Sequence, residues 1–172
     1  MKYWIWLSQI PYVGPITANQ LLKEFNDPEN IYFADSIELG KVEGITKKQI
    51  DSIINTKSLV GAEIIMEKCK KIDSSILPIS NSLYPSKAKQ FKDAPVILYY
   101  KGELKRLDET VGIVGARRCI QSAKEKAISI TKEYTLNGKA IISGMEKGID
   151  SYAHTACLKN GGYTVAILGN GL

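Results

Sequence analysis

The chain has 172 residues, 44% hydrophobic and 24% charged, with a formal net charge of +5, the balance of a soluble globular protein of one medium domain or two small ones. No apolar run reaches the roughly 18 residues of a membrane helix, and the opening "MKYWIWLSQIP" is short and lacks a small-residue cleavage site, so it reads as core rather than as a signal peptide. Cys69, Cys119 and Cys157 lie far apart and form no CxxC pair, which argues against a disulfide framework or a zinc site and for a cytoplasmic protein with buried free thiols, with no cofactor and no membrane partner.

The first half reads as helical. In "LSQIPYVGPITANQLLKEF", Val13, Gly14 and Pro15 form a turn, and Ile16, Leu21, Leu22 and Phe25 then share one helical face. "LGKVEGITKKQIDSII" repeats the plan with Val42, Gly44, Ile45, Ile50, Ile53 and Ile54. Thr17 and Thr46 are the N-cap candidates. The two stretches resemble the helix-hairpin-helix motif, whose turn amides contact nucleic-acid phosphates. Each has one turn glycine where that family usually has two, and structural packing is their expected role. "SLVGAEIIMEKCKKI" spaces Leu59, Ala62, Met66 and Cys69 as one face of an amphipathic helix. "SSILPIS" is a short strand and "NSLYPSKAKQF" supplies turn residues, which sets the domain boundary near Ser74: 1–74 helical, 75–172 the second domain.

The second domain alternates strand and helix. "APVILYYKG", "ETVGIVG", "KAIISG" and "YTVAILGNG" are strands. "QSAKEKAISITKEYTLNG" is a helix with Ala123, Ala127, Ile130 and Tyr134 on one face and a C-cap at Asn137-Gly138, and "GIDSYAHTACLKNGG" is another. Apolar strands alternating with helices predict an α/β, Rossmann-like parallel sheet of about four strands, covered on both faces. The charge is uneven. Met1–Ser75 holds nine basic and ten acidic side chains, Ile76–Leu172 fourteen and eight. Solubility accounts for such an excess; so does a polyanionic partner.

Ligands of such sheets bind beyond the carboxyl ends of the strands, and three strand ends here carry glycine: Gly115, Gly144 and Gly169. Helix N-termini aim free amides and a positive dipole end at the same rim. The candidate phosphate-binding residues are Gly115, Arg117, Arg118, Ser143, Gly144, Lys147, Gly148 and Asn170, with Gly171 beside them. "GARRC" is not GxGxxG, and "GMEKGID" lacks the GK[ST] ending of a Walker A loop, so a tight dinucleotide or ATP site is disfavoured. An arginine after a strand can equally be a solvated or ion-paired surface group. Asp150 reads as a cap of the following helix, His154 as a structural hydrogen-bonding residue, and Tyr152 as either core or a base-stacking ring.

"IVGARR", "SGMEKGIDSYAH" and "GGYTVAILGNGL", in that order, resemble the DNA-processing protein A family (DprA, also called Smf), with "LYPSKAKQFKDAPVILYYKGEL" similar to its lead-in. The resemblance is strong over 76–172 and weak over the helical half, where it suggests a helix-hairpin-helix or SAM-like module. It implies a non-enzymatic single-stranded DNA-binding protein that protects incoming DNA and loads the recombinase RecA onto it in natural transformation. It also implies that Arg117 and Lys147 line the DNA pocket. Two departures stand out. Glu146 places an anion beside Lys147, and "QSA" replaces the usual tyrosine-glycine pair. The chain stops at "GNGL" where family members continue. The expectation is therefore a truncated domain whose homodimer and RecA-facing contacts lie largely beyond its end, with the edge strand near Val165–Leu168 exposed or paired with another copy. The alternatives are a phosphoribohydrolase-type nucleotide-binding enzyme, for which Glu146 is the candidate acid, and a protein-interaction module working through the helical half.

Overall fold

The structure, a computed structural model, describes residues 1–169. Two compact units divide between Arg106 and Leu107. The first comprises α1 (Lys2–Gln9), α2 (Pro15–Phe25), α3 (Pro28–Phe33), α4 (Ser36–Leu39), α5 (Lys47–Asn55), α6 (Val60–Lys71), β1 (Ser75–Pro78), α7 (Ser86–Lys89) and β2 (Ile97–Tyr100). Ile5, Trp6 and Leu7 of α1 join Leu21, Ile31, Leu39 and Ile53 in one core.

The two helical hairpins are built alike. Val13 N–H donates to Ile10 O in the first turn and Ile45 N–H to Val42 O in the second, each at 3.2 Å. Tyr12 holds a left-handed φ of 66° at the position where the second turn has Gly44, φ 78°. The hairpins lock together: Gln49 Nε2 donates to Tyr12 O (3.1 Å) and Thr17 Oγ1 (3.0 Å), and Ser52 Oγ to Pro11 O (2.7 Å). Thr46 caps α5 in a capping box with Gln49. Thr17 does not cap α2; Gly14 stands at the N-cap with Pro15 next, a proline costing nothing where the N–H has no helical partner. The short helices α3 and α4, capped by Asp27 and Asp35, were not foreseen from the apolar spacing, although both caps are written in the sequence.

β1 and β2 pair antiparallel, Ser75 opposite Tyr100 and Pro78 opposite Ile97. Val96 and Ile97 belong to the helical core, with Ile76 and Ile79 packed on it. The strand expected to open the parallel sheet thus pairs within the first unit.

The second unit runs β3 (Thr110–Gly112), α8 (Gln121–Leu136), β4 (Ala140–Ser143), α9 (Ile149–Lys159), β5 (Thr164–Ala166). The three strands are parallel in the order β3-β4-β5, with Val111 beside Ile141 and Ile142 beside Val165. Right-handed crossovers that step in one direction place both helices on one face, and α8 and α9 pack on each other and on β4. The sheet is therefore not covered on both faces by these helices, as was expected. Ile141, Ala153 and Cys157 form the small core, with Val111 and Ile113 against it. In α8 the buried side chains are Ala127, Thr131 and Thr135, while Tyr134 is exposed. The expected face is rotated because α9 and the turn after it approach closely: a Cβ on Gly162 would stand 2.7 Å from Cys157 Sγ and would also meet Thr135.

Candidate nucleic-acid interface

The turns β3–α8 and β4–α9 lie side by side at the carboxyl end of the sheet, and glycine brings them together. Gly148 has φ +87°, and a Cβ there would stand 2.6 Å from Arg117 O and nearer still to Ala116 O. Ile149 N–H donates to Ala116 O at 3.3 Å. At Gly115 a Cβ would lie 2.7 Å from Ile149 Cγ1. No side chain fits at either place: at Gly148 the two turns touch backbone to backbone, and at Gly115 the Ile149 side chain fills the space.

Asp150 clamps the pair. Its side chain is buried, and it accepts Gly115 N–H on Oδ1 (3.2 Å) and Gly144 N–H on Oδ2 (3.1 Å). The expectation that Asp150 caps its own helix is corrected: Gly148 is the N-cap residue of α9, and Asp150 reaches back to the ends of two strands. This carboxylate occupies the amides that a deeply bound phosphate would use. The signal available in the sequence was an acid six residues after one strand-end glycine, with that strand's amide otherwise unpaired.

Ser143 is likewise internal, its Oγ donating to Ile113 O at 2.6 Å and its carbonyl accepting from Ile167 N–H at 2.8 Å. Of the expected ligands, then, Gly115, Gly144 and Ser143 spend polar groups on internal hydrogen bonds, and Gly148 brings the two turns into contact. Arg117, Arg118 and Lys147 are exposed on the two abutting turns. Arg117 Nη2 meets Glu146 Oε1 at 2.9 Å, with the two side chains 73% and 54% exposed. Glu146 thus pairs with Arg117 across the turns, and Lys147 has no ion-pair partner among the described residues. Asn170 and Gly171 lie outside the described residues.

Two neighbours complete the shelf. Lys124 Nζ, in the first turn of α8, stands 4.8 Å from the centre of the Tyr152 ring, a cation–π contact that covers one face of that half-buried ring. His154 Nδ1 lies 2.7 Å from Thr164 Oγ1, the structural role expected of it. Burial holds the imidazole pKa below its ordinary value, against a smaller opposing pull from Asp150. Among the described residues no His, Cys, Asp and Glu group could hold a metal ion, and no helix is long and apolar enough to cross a membrane.

The arrangement offers anions a cationic rim, not an amide-lined hole. A tandem SAM-like helix-hairpin-helix family matches residues 7–56. Protein Smf of Synechocystis is 33% identical over 175 residues, covering 99% of this chain and 44% of that protein. DNA processing protein DprA of Streptococcus pneumoniae is 35% identical over 162 residues, covering 91% of this chain and 55% of that protein. The X-ray structure of the pneumococcal protein superposes with a TM-score of 0.75 at 26% identity, over 99% of this chain and 58% of that one. The chain spans about half the length of these relatives. The family described as DNA recombination-mediator protein A matches residues 75–172, more than half of the sequence, and the chain belongs to that family, the DprA/Smf proteins.

Proposed function

We propose that the chain binds single-stranded DNA through its phosphates on the rim formed by Arg117, Arg118 and Lys147, as a binding protein and not an enzyme. The observation that carries this reading is the abutment of the two turns at Gly148, which sets cationic side chains from two strand ends on one exposed edge. Each cation can neutralise a phosphate of the same strand, and the contact reads no base edge. Gly115, Gly144, Gly148 and Ser143 shape this edge; Asp150, by engaging the inner amides, keeps phosphate at the outer rim and disfavours a free nucleotide.

The name of the pneumococcal relative, DNA processing protein DprA, supports a role in DNA processing. In this reading the whole protein works in the cytoplasm, protects incoming strands and hands them to RecA during recombination and natural transformation, as a homodimer.

The test is the salt dependence of oligonucleotide binding. Each phosphate contact with a single strand contributes about −0.7 to the slope of log K against log salt. The R117A/K147A double variant should flatten the slope by roughly 1.4 and weaken affinity alike for oligonucleotides of different sequence. An unchanged slope rejects the rim as the site.

A further inference from the structure

The positive charge of the second half is concentrated before the parallel sheet. Residues 76–106 hold six basic and two acidic side chains, and residues 107–172 eight and six. Three of those six, Lys87, Lys89 and Lys92, flank Phe91. Phe91 is 66% exposed.

The loop that carries this ring is well anchored. Asn19 Nδ2 of α2 donates to Lys92 O (3.3 Å) and Ala94 O (2.8 Å). Tyr84 is buried, and its hydroxyl donates to Pro95 O at 2.7 Å. Phe91 N–H donates to Ala88 O, and Phe91 O accepts from Ala94 N–H at 3.1 Å. The backbone is thus fixed on both sides of Phe91 while the ring faces water. Lys87 and Lys92 have no ion-pair partner among the described residues, and Lys89 Nζ donates to Asn81 O at 3.1 Å. Asp93 is the one nearby acid in this stretch.

A rigid exposed ring between cations is the arrangement that holds unpaired bases: the ring offers a face to any base, and ammonium groups meet the phosphates on either side. A duplex hides its base faces in the stack, so the fit is to single strands. We propose that Phe91, with Lys87, Lys89 and Lys92, forms a base-stacking platform for single-stranded nucleic acid, a second contact surface belonging to the first unit. The inference rests on the single-strand reading above and adds to it a stacking contact that the phosphate rim does not supply.

The test uses the full chain and a fluorescein-labelled dT oligonucleotide followed by anisotropy. F91A should lower affinity roughly five- to tenfold, with the salt slope unchanged, since stacking releases no counterion. F91W should retain affinity, and its added tryptophan emission should be quenched by the oligonucleotide beyond the change seen in the unsubstituted chain. K87A/K89A/K92A should flatten the slope by about 2. Because Phe91 and the lysines are exposed, the variants should melt as the parent does. Loss in F91A with none in R117A/K147A would retain the platform and reject the rim. Loss in R117A/K147A with none in F91A would overturn the platform and leave the rim standing. An F91W emission unmoved by DNA would also overturn it.

Discussion

Arg117 and Glu146 meet at 2.9 Å across two turns that leave different strands, and both side chains remain largely in water. Such a pair contributes little to folding, about 0–1 kcal/mol, but it places a carboxylate where the rim would receive a phosphate. Removing Glu146 should free the guanidinium and lift a local repulsion. E146Q should therefore bind a single-stranded oligonucleotide up to about fivefold more tightly, with an unchanged melting temperature. Titrations at matched salt check this. Weaker binding by E146Q would mean that Glu146 holds Arg117 in its working position and does not compete with phosphate.

Much of this arrangement was legible in the sequence because its determinants are local. Apolar strands leading to Gly115 and Gly144 specified the parallel sheet, and Thr46 with Gln49 specified the start of α5. What could not be read depended on distant partners. β1 and β2 carry strand-like residues, but only packing on the helical core decides that they pair with each other. The buried stripe of α8 includes Thr131, whose Oγ1 donates to its own helix at Ala127 O and so lets a polar side chain pass for an apolar one, and Thr135, whose buried hydroxyl has no partner among the described residues. The rim cations were visible as residues; that their neighbours Gly115 and Gly144 offer no free amide depends on Asp150, whose reach across two strands leaves no periodicity to detect.

That reach makes Asp150 the strongest single test of the shelf. Asparagine has the same shape but presents one acceptor and one donor, so one of the two amides now bonded would face an N–H group. An unsatisfied buried donor costs about 1–3 kcal/mol. D150N should melt several degrees lower, and its oligonucleotide affinity should fall because the two turns lose their tie. Thermal denaturation followed by circular dichroism, with binding measured well below the transition, separates the two effects. A variant as stable as the parent would show that the clamp does not hold the turns.

His154 supplies a pH dependence whose direction follows from its bonds. Thr164 Oγ1 donates its proton to Ile141 O at 2.9 Å, so Nδ1 of the imidazole is the donor in the 2.7 Å contact with that hydroxyl. Nε2 is then an unprotonated, buried atom with no partner among the described residues. Protonating it would create a buried N–H with no acceptor, and burial accordingly lowers the pKa. The unfolded chain takes up this proton near pH 6.5, the folded chain only at lower pH. Between those values the unfolded state binds more protons, so stability falls as pH drops. The contribution is whole above about pH 6.5 and is lost on the way down to the folded pKa. Melting temperatures should decline from pH 7.5 to pH 5.5, above the range where carboxylates titrate, and H154N, which keeps a donor near the Nδ1 position, should show a flatter profile. The chain has one histidine, so its ring resonances can be followed alone by NMR. A titration midpoint at or above the ordinary value would contradict the buried, neutral tautomer and remove the basis for the pH effect.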